Sequence, residues 1–261
     1  HETYAPHVGL FPGDELVSKA WLTEHEAVLQ KVYEKWADEQ SKQVMSAVLN
    51  YKISGKLSYL ADVTTRQEDL QQLFTFTQNE AYADLGAYNG DTIKEFLELT
   101  GGHYEHIYAL EPDKKNYTKL KAFVEQNQIR KCTLVNKAIW SAACTLNFSQ
   151  KGGRMSYLAS EGKVSVETVS LDEVVGKAPL TYLKMDVEGA EQEALTGCKT
   201  ILAEQAPKLF VAAYHHDGDL WQIPELIRSI NPDYKLYLRR HPYVPCWELN
   251  IFGKAVSQEK K

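Results

Sequence analysis

Ala81-Tyr82-Ala83-Asp84-Leu85-Gly86-Ala87-Tyr88-Asn89-Gly90-Asp91-Thr92 is the stretch that decides the fold. A short run of strand character enters a glycine turn, and an amphipathic helix begins near Asp91. Gly86 lets the backbone approach a ligand closely. Gly90 opens a helix whose terminal N–H groups favour an anionic group such as a carboxylate. The spacing is G-x-x-x-G, whereas a dinucleotide site more commonly shows G-x-G-x-x-G with a pyrophosphate on the helix end. Asp84, just ahead of the turn, is better matched to a cationic ligand than to a pyrophosphate.

Outward from this turn, short apolar runs alternate with amphipathic stretches, the signal of a parallel sheet with helices on both faces. Strands are predicted at Ala81–Leu85, His106–Leu110, Thr133–Ile139, Tyr182–Met185 and Lys208–Tyr214, with helices beginning near Asp91, Asp113, Gly189 and Asp219. Tyr234–Arg239 and Trp247–Phe252 flank His241-Pro242-Tyr243-Val244-Pro245, whose two prolines favour a turn. They read as an antiparallel hairpin at one edge. Upstream, residues 1–77 read as helices. Thr23 and Glu26 form a capping box with Leu22 as staple, a second stripe runs through Val44, Ala47, Val48 and Tyr51, and a third helix carries Leu70 and Leu73. The expected division is a helical cap or docking region over 1–77 and a cofactor-binding domain over 78–261.

The second strand ends in Tyr108-Ala109-Leu110-Glu111-Pro112-Asp113, which places an acid where a carboxylate can accept both hydroxyls of a ribose. Asn136, Lys137 and Ala138 at the third strand would border the adenine. Taken in order on the right elements, Asp84, Gly86, Ala87, Tyr88, Asn89, Gly90, Asp91, Thr92, Glu111, Pro112, Asn136 and Ala138 form a nucleoside-binding constellation.

Asp84-Leu85-Gly86-Ala87-Tyr88-Asn89-Gly90-Asp91-Thr92, Glu111-Pro112-Asp113, Thr168-Val169-Ser170-Leu171-Asp172 and Lys184-Met185-Asp186-Val187-Glu188-Gly189-Ala190-Glu191 are similar to the successive motifs of FkbM-type methyltransferases. The resemblance runs from about Gln78 to Gly253 and is most specific around Asp186. It implies an α/β, Rossmann-like class I methyltransferase fold with a mostly parallel seven-stranded sheet. It also implies S-adenosylmethionine as donor, and O-methylation of sugars, polyketides or related metabolites. The helical region before Gln78 inherits nothing from it.

In an open parallel sheet, ligands lie beyond the carboxyl ends of the strands, where the strand order reverses. Asp84, Glu111, Asp186 and His215 all fall at such ends and are expected to gather round one crevice. Methyl transfer to a hydroxyl requires alignment, exclusion of water and a base. Asp186, Glu188 and His215 are the candidates, with Asp186 also beside the cofactor. His215, in Tyr214-His215-His216-Asp217, can titrate near neutral pH as a base must, and the resemblance favours it over His216. Helix capping is the plainer role for Asp186, and Glu188 and Glu191 suit a helix amino end in any case. Asp186, Glu188, His215 and Asp217 could instead ligate a divalent ion such as magnesium, the less favoured reading. Arg239, Arg240 and His241 read as a solvated strand end or as a hold on an anionic acceptor. Gly152-Gly153-Arg154-Met155-Ser156-Tyr157 reads as a mobile loop.

With 35 acidic against 29 basic side chains the net charge is -6, which gives no long-range attraction to phosphate backbones or anionic lipid. Nucleic acid and membrane are therefore not the expected partners, and a small-molecule or glycan acceptor is. No apolar run reaches the roughly 20 residues of a membrane helix. His1-Glu2-Thr3-Tyr4 shows no leader pattern, so the expected location is cytoplasmic. Cys132, Cys144, Cys198 and Cys246 include no Cys-x-x-Cys pair, which argues against a zinc knuckle. Three other readings remain: an N- or carboxyl-methyltransferase, a nicotinamide-dependent oxidoreductase, and a non-catalytic nucleoside-binding module. A homodimer through the helical region is compatible with all of them.

Overall fold

The architecture is that of a computed structural model describing residues 3–5, 17–150, 156–158, 164–243 and 247–256. In chain order the helices α1 (Lys19–Lys35), α2 (Glu39–Ser54) and α3 (Arg66–Leu73) precede β1 (Ala81–Leu85). Next come α4 (Asp91–Leu99), β2 (His106–Leu110), α5 (Lys114–Gln126), β3 (Cys132–Val135) and β4 (Ala138–Ile139). β5 (Thr145–Gln150), β6 (Ser156–Leu158), β7 (Val164–Val169), α6 (Leu171–Val175), β8 (Tyr182–Met185), α7 (Glu191–Thr196) and α8 (Lys199–Glu204) follow. The described chain closes with β9 (Lys208–Ala212), α9 (Asp219–Ile230), β10 (Tyr234–Arg240) and β11 (Leu249–Ala255). None of the described helices is long and apolar enough to cross a membrane.

The larger sheet has seven strands in the order β10-β11-β9-β8-β1-β2-β3. β1 pairs in parallel with β2 and with β8, β2 pairs in parallel with β3, and β10 and β11 are antiparallel. This is the expected Rossmann-like sheet with its terminal hairpin. Two compact units make up the chain: residues 75–209, and residues 1–74 together with 210–261. That division is not the one drawn at residue 77, since the first helices belong to the same unit as the last hairpin.

Within the unit 75–209, the strand order turns back between β1 and β8, which makes their carboxyl ends the switch point. All of β1 is buried, and Tyr82 stacks on Phe96 of α4 at 4.5 Å and on Tyr182 of β8 at 4.9 Å. These apolar contacts fix β1, and therefore the turn that follows it. The strand expected over Thr133–Ile139 divides in two. The Asn136 carboxamide donates back to Glu111 O at 2.8 Å and to Pro112 O at 3.1 Å, and β4 leaves to pair with β7. A second sheet, β4-β7-β5-β6, adds to the expected strands, of which it takes in only the end of Thr133–Ile139 as β4. Ser156 and Tyr157 lie in its strand β6, and Gly152–Met155 lie outside the described residues.

In the other unit, α1 begins earlier than its expected capping box. Ser18 is the N-cap, accepting from the Trp21 amide at 3.2 Å, and Thr23 lies inside the helix, donating to Lys19 O. The earlier start brings Trp21 into the core, where it packs on Trp221 of α9 at 5.4 Å. α2 is tied to β10: Ser41 Oγ accepts from Leu238 N at 2.9 Å, and Ala37 N donates to Leu236 O at 2.9 Å.

Arg239, Arg240 and His241 are neither a solvated strand end nor an acceptor grip. All three are buried. Arg239 reaches Asp69 Oδ1 at 3.2 Å, Asp38 Oδ2 at 2.6 Å and Ser41 Oγ at 3.0 Å, while Arg240 donates to Leu60 O. His241 Nε2 lies 3.0 Å from Asp69 Oδ2, and Asn250 Nδ2 lies 3.1 Å from His241 Nδ1. A charge taken out of water needs such partners. Here the N-terminal helices provide them to the C-terminal hairpin.

Candidate active site

β1 delivers the chain into a turn that only glycine can make. Gly86 has φ of 81°, and a Cβ there would stand 2.0 Å from the carbonyl oxygen of Asp186. The amides of Gly86 and Ala87 both donate to Leu110 O at 3.0 Å, which holds the turn against the end of β2. Tyr88 follows with φ of 45°, and Gly90, at φ of 93°, is the N-cap of α4. A Cβ on Gly90 would stand 2.4 Å from the Phe123 ring. Gly90 has no side chain to cap the helix, so the positive pole of the α4 dipole is met by its neighbours instead. Asn89 Oδ1 and Asp91 Oδ1 accept from the amides of Asp91 and Thr92 at 3.3 and 2.9 Å.

Asp84 lies beneath the turn rather than at its surface. It is fully buried, with Oδ1 3.2 Å from Lys184 Nζ and Oδ2 accepting from the Thr92 hydroxyl. Lys184, itself 3% exposed, also donates to Gly86 O at 2.9 Å. Asp84, Thr92 and Lys184 therefore brace the turn from below, with charge opposed to charge in a dry environment. Lys184 stands in the motif around Asp186 without a role assigned from sequence. The signal was there: a lysine inside the apolar run Tyr182-Leu183-Lys184-Met185 must find a counter-charge if the strand is buried.

Glu111 closes the turn from the β2 side. Its Oε2 accepts from the Tyr88 amide and its Oε1 from the Asp113 amide, each at 2.9 Å, and it is 6% exposed. Burial pushes its pKa up to about 7, against the pull of those two backbone donors. Each carboxylate oxygen has two lone pairs, so both retain capacity for a further donor. Asn136 supports Glu111 from behind through its backbone carbonyl; Pro112 is exposed and Ala138 is buried.

β8 ends beside the same turn. Asp186, half-buried, donates its amide to Leu85 O at 3.0 Å, and its carbonyl is the group that excludes a Cβ from Gly86. Glu188 is exposed and holds a left-handed φ of 56°, a conformation that costs energy in a residue other than glycine. The helix expected near Gly189 begins at Glu191, whose buried carboxylate accepts from Val187 N at 2.9 Å. Glu191 thus ties the turn to the first residue of α7. In the unit 75–209 the structure therefore assembles the residues from Asp84 to Thr92 with Glu111 and Asn136, and places Asp186 against Gly86.

His215 belongs to the unit formed by residues 1–74 and 210–261. It is 3% exposed, and its ring lies 4.3 Å from that of Tyr214. Asp217, two places on, receives the ammonium of Lys52 from α2. His216 N donates to Asp219 Oδ2 at 2.8 Å.

The family model of the methyltransferase FkbM domain matches residues 84–244, which is more than half of the chain. The crystal structure of methyltransferase FkbM from Methylobacillus flagellatus KT is 26% identical, with a TM-score of 0.77 over 90% of this chain and 60% of that one. This chain thus spans less than two thirds of that protein's length. An rRNA methylase from Streptococcus thermophilus is 14% identical, with a TM-score of 0.47 over 72% of this chain and 93% of that one. A SAM dependent methyltransferase from Aquifex aeolicus is 8% identical, with a TM-score of 0.44 over 87% and 98%. No curated protein matches the chain.

Proposed function

Because the chain belongs to the FkbM family of S-adenosylmethionine-dependent methyltransferases, we propose that it O-methylates a hydroxyl on a sugar, a glycan or a polyketide-like metabolite. The observation that supports the methyl-donor part of this reading is the clasp at Glu111, a buried carboxylate bonded to the Tyr88 amide of the glycine turn, and the acceptor part rests on the family resemblance. The residues present fit the methyl donor. Gly86 lets the turn pack directly on the Asp186 carbonyl, and both oxygens of the Glu111 carboxylate keep a lone pair for a further donor such as a ribose hydroxyl.

In this reading Glu111 takes the ribose hydroxyls, and Asn136 and Ala138 border the adenine. The turn from Gly86 to Thr92 takes the amino-acid tail. When bound, the donor supplies an electrophilic methyl group on a sulfonium, and positive charge is lost as the methyl leaves. Asp84 and Lys184 keep the turn in shape without entering the reaction, since their charges cancel below it. Asp186 follows β8 beside Gly86, where a carboxylate can accept a proton or orient the acceptor hydroxyl. Glu188 and His215 are the alternative candidates for the base, and the acceptor is a small molecule or glycan rather than nucleic acid.

Calorimetry with S-adenosylhomocysteine tests the cofactor assignment: binding in the micromolar range is expected, and no heat at high micromolar ligand refutes it. Activated sugars and hydroxylated biosynthetic intermediates are then screened for a mass gain of one methyl. Gain on an amine or a carboxylate in place of a hydroxyl would replace O-methylation by one of those classes.

A further inference from the structure

We propose that Lys52, on the N-terminal helix α2, is a positioning residue for the segment from His215 to Asp219. The inference rests on the reading of His215 as a proton acceptor in methyl transfer.

Lys52 lies in the last turn of α2, where the helix dipole already favours a cation. The dipole would be served equally well by a lysine in solvent. Instead the residue is 7% exposed and its ammonium is spent on Asp217, 165 places away in sequence and also 7% exposed. Burying both charges costs free energy that their attraction offsets only in a good geometry, so the pair fixes where Asp217 stands.

Asp217 is the middle of a short, closed segment. At one end His215 packs against Tyr214. At the other, the Asp219 carboxylate accepts from His216 N, and Asp219 N donates to His216 O at 3.1 Å. Lys52 grips this segment at its centre. α2 is in turn fixed to β10 through Ser41 and, by way of Asp38 just before the helix, Arg239. A rigid element thus runs from the hairpin through α2 to the histidine segment, all inside one compact unit. An apolar pair of equal volume would hold α2 just as firmly. What the ion pair adds is a fixed place and a fixed charge two residues from His215.

The full chain, labelled at its eight histidines, gives the test. The His215 ring resonances are assigned with His215→Asn and compared in wild type, Lys52→Met and Lys52→Arg. Lys52→Met is expected to move these resonances and to speed deuterium exchange in peptides spanning residues 214–220. Lys52→Arg restores both, and S-adenosylhomocysteine affinity stays at the wild-type value. With an acceptor from the screen above, Lys52→Met loses about a hundredfold in kcat, the effect of misplacing a reacting group by about an ångström, at unchanged KM for the donor. A folded Lys52→Met protein with wild-type His215 resonances and exchange overturns the proposal. If Lys52→Met does not fold, Lys52→Met with Asp217→Asn, which strands no charge, decides by the same criteria. Failure of wild type to bind S-adenosylhomocysteine would strike the proposed function and leave the resonance test of the clamp intact.

Discussion

Glu111 has an ordinary pKa of 4.5 and is pushed up to about 7 by burial, so the folded chain holds its proton more tightly than the unfolded chain does. By linkage, its contribution to stability is fully present below pH 4.5 and is lost as the pH rises through about 7. Hydroxyl donors favour the ionised form. S-adenosylhomocysteine affinity should therefore rise between pH 6 and 8, and binding near pH 7 should release protons, read as a buffer-dependent heat of binding. Glu111→Gln should flatten this profile and weaken binding at pH 8 by about tenfold or more, the worth of one hydrogen bond to a charged group. At Lys184 the prediction concerns stability. Lys184→Met leaves the Asp84 charge buried and should cost about 3–5 kcal/mol in chemical denaturation, and adding Asp84→Asn should recover much of it. The sequence pointed to Glu111 through its place at a strand end. It could not show that Asp84 turns inward, because the order of residues does not say which strand-end carboxylate has a lysine beneath it.

The turn between β1 and α4 depends on two glycines for different reasons, and the reasons make different predictions. At Gly86 the obstacle is the backbone carbonyl of Asp186, which cannot move without displacing β8 from β1. At Gly90 it is the Phe123 ring, which can rotate away. Gly86→Ala should abolish S-adenosylhomocysteine binding and lower the thermal midpoint more than Gly90→Ala does. Phe123→Ala should relieve part of the Gly90→Ala defect and none of the Gly86→Ala defect. Equal effects of the two alanines would contradict this account. Elements built on apolar periodicity and glycine chemistry were legible: β1, β2 and β8 have the expected bounds. The sheet of β5 to β7 was not, although Val164-Ser165-Val166-Glu167-Thr168-Val169 alternates as a strand should. Gly152 and Gly153 give residues 152–157 the composition of a loop, and no strand is predicted over Thr145–Gln150 or Val164–Val169. The break between β3 and β4 depends on a side-chain bond from Asn136 that periodicity does not report.

On the scale of the whole molecule, the first helices and the last hairpin belong to one compact unit although residues 75–209 separate them in sequence. Composition places a boundary near residue 77 because the helical pattern stops there. The partners that make those helices indispensable lie about two hundred places away, as in Asp38 and Arg239, and no local pattern records them. A chain beginning at residue 75 would leave Arg239 without Asp38 and Asp69, so it should lose its cooperative unfolding transition. An independent, cooperatively folding 75–261 fragment would refute this. At Asp38, burial raises the pKa, but the hydrogen bonds from Arg239 and Ser41 outweigh it and the net direction is down. The stability this contributes is present above the ordinary carboxylate value of 3.8 and is lost as the pH falls through the depressed one.

The account as a whole turns on where the nucleoside lies, and a crystal of the full chain grown with S-adenosylhomocysteine measures that directly. The prediction is density across the Gly86–Gly90 turn, with both ribose hydroxyls on the Glu111 carboxylate and the amino-acid tail against the turn. A nucleoside on any other face of the sheet, or a ribose held by groups other than Glu111, would contradict it.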